Sequence, residues 1–193
     1  MRTRLAQRRT WKSWGMESEI IYPSLRDIKT KVIAAICALY RHDRELLEIN
    51  TNERSITHKL AEYLQREFPS WHVDCEYNRL GRDTKKLAVN VGKPSPHDTE
   101  AKTVFPDIIV HRRKTDNNLL IMEVKKAGNQ DKTWDIEKLK LFTQVPEYQY
   151  QYGLFLELEQ NGHSKLELYR NGESCASWTE DLQRALKELG YGE

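Results

Sequence analysis

The stretch from Phe105 to Lys125 constrains the fold more than any other. Two apolar runs, Phe105–Val110 and Leu119–Val124, flank the polar segment His111–Asn118. Runs of this length suit strands, so the pair predicts a β-hairpin with a long loop. Its first strand opens with Pro106-Asp107 and its second closes with Glu123-Val124-Lys125. Side chains alternate along a strand. Glu123 and Lys125 are therefore expected on one face with Ile121 and Leu119, and Met122 and Val124 on the other. Antiparallel pairing sets the start of the first strand beside the end of the second, which brings Asp107 close to Glu123 and Lys125.

Two carboxylates and an ammonium at the end of an apolar hairpin are costly unless their charge is neutralised. A hard divalent cation does this well. Mg²⁺ takes oxygen ligands, commonly one or two carboxylates together with waters and substrate phosphate. Lys125 would then orient or activate a water and stabilise charge in the transition state. Acid-x-Lys alone is a cheap pattern and recurs at Asp27-Ile28-Lys29, Asp83-Thr84-Lys85 and Glu100-Ala101-Lys102. Those copies lack an apolar strand, and Pro-Asp occurs only at Pro106-Asp107. Other chemistries are poorly supported. His42, His58, His72, His97, His111 and His163 have no zinc-site spacing. No Gly-rich phosphate loop and no Gly-x-Ser-x-Gly is present.

Around the hairpin, Leu25, Ile28, Val32, Ile36, Leu39, Leu46 and Ile49 form a helical stripe that predicts one long helix over Ser24–Ile49. A second helix is expected over Asn52–Phe68, stopped by Pro69. Trp71–Tyr77 alternates as a strand, Leu87–Val91 suggests another, and Gly92–Glu100 reads as a loop. After the hairpin come a helix over Thr133–Thr143, a second hairpin of Tyr152–Glu159 with Lys165–Tyr169, and a helix over Thr179–Leu189. This order predicts an α/β fold with a mixed central sheet flanked by helices rather than a regular βαβ array.

Cys37, Cys75 and Cys175 are odd in number and far apart, which argues against a disulfide framework; Cys37 reads as core. No apolar run approaches the roughly 20 residues of a membrane span, and no apolar signal segment follows the basic N-terminus. A cytoplasmic location without a membrane partner is expected. Residues 1–15 hold Arg2, Arg4, Arg8, Arg9 and Lys12 and no acid; they contribute +5 to a net charge of +2, leaving −3 on residues 16–193. This segment reads as a disordered leader or as an extension upstream of a start at Met16. Its other reading is a nucleic-acid-binding arm, with Trp11 and Trp14 to stack on bases.

The residues Pro106-Asp107 and Glu123-Val124-Lys125, with a helix before and a helix and strand after, resemble the PD-(D/E)xK nuclease superfamily. The resemblance covers about Asn50 to Glu159. It implies a restriction-endonuclease-like core, here with an extra N-terminal helix, and Mg²⁺-dependent hydrolysis of phosphodiester bonds, with Mn²⁺ as a substitute. It further implies Asp107 and Glu123 as metal ligands, the Val124 carbonyl as another, and Lys125 as catalytic. DNA is the expected substrate and internal cleavage the expected mode. Residues 16–193 then read as a single nuclease-like domain: N-terminal helix 16–50, motif-bearing core 51–160, and C-terminal strand and helix 161–193. The alternative is a nuclease-fold module without turnover that binds nucleic acid or a protein partner, and a homodimer or a separate partner protein is compatible with either.

Many relatives place an acid in the helix before the motif, and Glu53 matches as a metal or catalytic residue. Asn50 and Glu53 also have capping-box spacing, so Glu53 is equally readable as a cap. Glu76 is either a further acid or part of a solvated strand face. Gln144 and Tyr148 have the Gln-x-x-x-Tyr spacing of some relatives, interrupted by Pro146. Lys138 and Lys140 are readable as phosphate contacts or as a solvated face. Arg79, Arg82, Lys85, Lys86, Arg112, Arg113 and Lys126 flank the motif in sequence and are candidate nucleic-acid contacts. From Glu157 onward there are eight acids and four bases, so that segment is expected to face away from nucleic acid.

Overall fold

The computed structural model describes residues 22–49, 51–77, 79–80, 83–84, 86–87, 102–103, 105–128, 132–146 and 148–192. In chain order the helices and strands are α1 (Leu25–Asp43), α2 (Glu45–Glu48), α3 (Glu53–Glu67), β1 (His72–Cys75), β2 (Arg79–Leu80), β3 (Asp83–Thr84), β4 (Lys86–Leu87), β5 (Lys102–Thr103), β6 (Ile108–His111), β7 (Asn118–Lys126), α4 (Thr133–Gln144), β8 (Tyr152–Leu158), β9 (Lys165–Arg170), β10 (Glu173–Ser177) and α5 (Thr179–Glu188).

Six strands form one sheet in the order β1-β6-β7-β8-β9-β10. Every pairing is antiparallel except β7 with β8, which run parallel. A parallel pair needs a crossover, and α4 supplies it. The architecture is therefore α/β with a mixed sheet flanked by helices. Among the described residues no helix is long and apolar enough to cross a membrane.

Helices cover both faces of the sheet. Ile108, Val110, Leu120, Met122, Val124, Leu154 and Leu156 share a core with Val32 and Ile36 of α1, Ile56 and Leu60 of α3, and Leu182 and Leu186 of α5. The opposite face buries Ile109, Ile121, Phe155 and Tyr169 under Leu139 and Phe142 of α4. Burial on both faces explains why β7 and β8 read as continuous apolar runs rather than alternating ones. A Cβ on Gly153 would meet Leu139 and Thr143 at 3.3 Å, so glycine there lets α4 lie close on β8.

The expected hairpin forms, with Ile108 opposite Met122 and Ile109 opposite Ile121. A bulge between Val110 and His111 shifts the register, and Leu119 joins Leu120 in the core under α1 and α3. The expectation that Leu119 shares the face of Glu123 is thus corrected, because a bulge breaks strict alternation. The long N-terminal helix divides at Arg44 into α1 and α2. α1 starts at a capping box in which Ser24 Oγ accepts from the Asp27 N–H at 3.1 Å. Of the strand expected over Leu87–Val91, only Leu87 lies among the described residues, in β4; the whole of the 92–100 loop and of the 1–15 segment lies outside them. β10 escapes the sequence pattern because Glu173–Ser177 is polar and lies at a sheet edge. A signal was present nonetheless. Asn171 and Gly172 both have positive φ, 52° and 82°, and form the two-residue loop between paired Arg170 and Glu173, a preferred setting for Asn-Gly.

Candidate active site

The parallel strands β7 and β8 end together, and the motif residues gather at that end. Asp107 immediately precedes β6, and its Oδ2 accepts the Val124 N–H at 2.8 Å. The hairpin thus holds this carboxylate against the peptide of its partner strand. Glu123, on the α4 face, is fully buried. Its Oε2 accepts from Lys138 Nζ at 2.5 Å, while its Oε1 is buried without a hydrogen-bond partner among the described residues. Lys125, two residues on and on the same face, lies 3.2 Å from Asp135 and 3.6 Å from Glu53.

Glu53 reaches this point from the opposite layer. It is the first residue of α3, and its Oε1 accepts the Lys126 N–H at 3.2 Å. The cap of α3 is Asn52, whose Oδ1 accepts the Ser55 N–H at 2.9 Å. The capping-box reading of Asn50 and Glu53 is therefore corrected: the helix starts two residues later than that pairing requires, which leaves Glu53 directed at the end of β7. Lys126 faces away from Lys125, as strand alternation dictates, and its Nζ donates to the Thr51 carbonyl at 2.8 Å.

Two residues of α4 complete the cluster. Asp135 and Lys138, both buried, are joined at 2.9 Å, so Asp135 bridges Lys125 and Lys138. The sequence reading missed Asp135 and treated Lys138 as a phosphate contact or solvated face. The available signal was spacing: Asp135, Lys138, Leu139 and Phe142 lie on one buried helical stripe. Lys140 points outward to Glu137 at 2.9 Å. Glu157, opposite Lys125 in the parallel register, is buried and pairs with Lys132 at 2.5 Å. The first acid of the C-terminal segment is thus beside the site rather than remote from it.

The charges perturb one another. Burial, then the negative charge of Asp107, holds the Glu123 carboxyl well above the usual range, with Lys138 pulling it back. Burial also raises Asp107, against the Val124 N–H, Lys138 and Lys125. Burial alone would lower both lysines. Asp135, Glu53 and Asp107 instead carry Lys125 above its ordinary value, and Glu123 and Asp135 do the same for Lys138. Both ammonium groups stay protonated at neutral pH.

A cleft of about 500 Å³ opens onto Asp107 and Glu53. Its walls are Arg54, Thr57 and His58 of α3, Cys75 and Glu76 at the end of β1, and the exposed Phe105. Glu76 lies just past β1, with φ of 48°, and pairs with Arg54 at 2.9 Å; it belongs to the cleft rim rather than to a strand face. No group of three or more His, Cys, Asp or Glu side chains able to hold a metal occurs among the described residues. What the structure does bring together is Asp107 and Glu123, which bear on each other electrostatically, with the Val124 N–H bound to Asp107. Oxygen donors, paired like charges and the orphaned Oε1 of Glu123 suit a hard cation that keeps much of its water shell, as Mg²⁺ does.

Other candidates lie elsewhere. Arg112 and Arg113 follow His111, at the far end of β6, about 13 Å along the strand from Asp107. There the Arg113 guanidinium makes a two-point ion pair with Asp74, His111 contacts Asp74 at 2.8 Å, and Arg112 lies 5.2 Å over the Trp71 ring. The two arginines flank the motif in sequence but not in space, because the hairpin carries its loop away from its open end. Gln144 and Tyr148 also sit at that distant end. α4 stops at Gln144, Gln144 packs against Gly172, and Tyr148 is buried against Phe142, so the Gln-x-x-x-Tyr spacing does not reach the site. Arg79 and Lys86 lie in the short strands β2 and β4, and Arg82 and Lys85 fall outside the described residues. Compared with family models and with curated proteins, the chain matches none.

Proposed function

We propose that the chain is a Mg²⁺-dependent nuclease with a restriction-endonuclease-like core that hydrolyses phosphodiester bonds, with DNA as substrate. The observation that carries this reading is the grouping at one end of the sheet, where Asp107 and Glu53 line a cleft, the buried Glu123 bears electrostatically on Asp107, and Lys125, on the face of Glu123, lies 3.6 Å from Glu53. Asp107, Glu123 and the Val124 carbonyl would hold the cation. Bound there, Mg²⁺ or Mn²⁺ would supply Lewis-acid polarisation of the phosphate and a more acidic water.

The side chains divide the remaining work. The Val124 N–H orients Asp107, and Lys138 orients Glu123. Lys125, kept protonated by Asp135 and Glu53, serves as a donor to the negative charge that develops on phosphate and not as a proton acceptor. Glu53 is partly exposed on the cleft wall, where it can accept a hydrogen bond from the attacking water. Arg54 and His58, exposed on the same wall, are suited to phosphate contacts.

The second reading is a module that binds nucleic acid or a protein partner without turnover. The Lys138–Glu123 ion pair favours it, because one carboxylate of the site already has a cationic partner. Incubation of the purified chain with plasmid and with single-stranded DNA, in Mg²⁺, Mn²⁺ or EDTA, separates the two. Cleavage with either metal, lost in EDTA and in Asp107→Ala, is the expected result. Binding without cleavage under any of these conditions would overturn the nuclease reading in favour of the module.

A further inference from the structure

Glu123 is fully buried, and among the described residues its one ion-pair partner is Lys138, at 2.5 Å. That lysine is itself buried and is tied by Asp135 at 2.9 Å. Its ammonium bonds Oε2 and leaves Oε1 without a hydrogen-bond partner among the described residues. Asp107 bears on the same carboxylate with like charge. An uncompensated carboxylate pair in such a setting is strongly destabilising, so in the absence of metal the charge of Lys138 has a structural task. A divalent cation at Asp107 and Glu123 would perform the same task with twice the charge.

Building on the nuclease reading, we propose that Lys138 is a built-in counter-ion of the metal site, competing with the divalent cation for Glu123. The lysine keeps the empty site folded and weakens metal binding in exchange. Asp135 offers it a resting partner, since its Oδ1 already holds Lys138 while Oδ2 holds Lys125. A cation binding Glu123 would shift the Lys138 ammonium toward Asp135 without leaving it unpaired.

The test compares the full chain with Lys138→Met, which keeps the length of the side chain and removes the charge. Mn²⁺ and Mg²⁺ affinities are measured by calorimetry, and melting curves are recorded in EDTA and in each metal. The expected result is tighter metal binding by Lys138→Met, by on the order of ten- to a hundredfold, the range typical of groups that tune a ligand. Its melting temperature in EDTA should fall below that of the native chain, with metal restoring most of the difference. Lys138→Arg, which keeps the charge, should bind metal no more tightly than the native chain. Should Lys138→Met prove too unstable to fold in EDTA, recovery of cooperatively melting protein on refolding with Mn²⁺ supports the proposal, and failure to fold in both conditions overturns it. If the native chain binds metal and Lys138→Met binds it equally well, the counter-ion proposal alone is overturned. If neither protein binds metal, both this proposal and the metal-dependent reading are overturned.

Discussion

Lys125 and Lys126 are adjacent, equally charged and differently placed, which makes them an internal control for the site. Lys125→Met removes the ammonium that lies 3.2 Å from Asp135 and 3.6 Å from Glu53. Neither acid is left alone, because Asp135 keeps Lys138 at 2.9 Å and Glu53 keeps the Lys126 N–H at 3.2 Å. The stability loss should therefore stay at about 1.5–3 kcal/mol, the scale of one hydrogen bond to a charged group. Lys126→Met removes the 2.8 Å bond from Nζ to the Thr51 carbonyl and should cost about the same. The two variants are thus matched in charge and roughly in stability. Their chemistry should differ. Only Lys125 shares the face of Glu123, so its loss should lower the cleavage rate on the order of a hundredfold or more, as for one transition-state donor. A hundredfold corresponds to about 2.7 kcal/mol of barrier. Lys126→Met should stay within a few-fold of the native rate. Single-turnover cleavage of labelled DNA at saturating protein isolates the chemical step from affinity, and thermal melts confirm the matched stability. Equal rate losses in the two variants would refute the strand-face assignment and the active site built on it.

Asp107→Ala should abolish metal-dependent cleavage while the chain still melts cooperatively; the freed Val124 N–H should cost about 1–3 kcal/mol, and normal cleavage by this variant would remove Asp107 from the site. Glu53→Gln should lower the cleavage rate more than the melting temperature, whereas Asn52→Ala, which removes the true cap, should cost roughly 0.5–2 kcal/mol of stability with little change in rate. At the other end of the hairpin, burial would raise the Asp74 carboxyl, but Arg113 and His111 together hold it below its ordinary 3.8. A lowered carboxylate pKa contributes stability above the unfolded value that is lost as pH falls through the folded one. Melting curves of the native chain should therefore show an acid-side loss below about pH 4 that is smaller in Asp74→Asn.

The hairpin and its motif were legible because their signals are local. Pro106-Asp107, two apolar runs and Glu123-Val124-Lys125 set the strand boundaries, and a period of two placed Glu123 and Lys125 on one face. The helices α3, α4 and α5 were legible from their stripes and stops to within a residue or two. Asp135 and Lys138 were harder to see because a hydropathy pattern assigns charged residues to the solvent side of a helix. Only when α4 lies against β7 and β8, with Gly153 permitting the approach, do those two residues fall on the buried side. Arg112 and Arg113 show the converse error: four or five residues of extended strand separate them from Asp107, so neighbours in sequence became opposite ends of an element.

The sequence by itself determined which residue types could meet at the end of β7, since alternation and antiparallel pairing bring Asp107, Glu123 and Lys125 together in any hairpin of this register. Whether Glu53 caps a helix or enters the site depended on where α3 begins and how it packs beneath the sheet. The partner of Glu123 depended on the crossover of α4 between two parallel strands. Local rules follow from backbone sterics and short-range hydrogen bonds, which every segment carries with it. Ion pairs such as Lys138–Glu123 and Lys125–Glu53 join residues whose distance is set only when separate layers pack, and no local pattern records that distance.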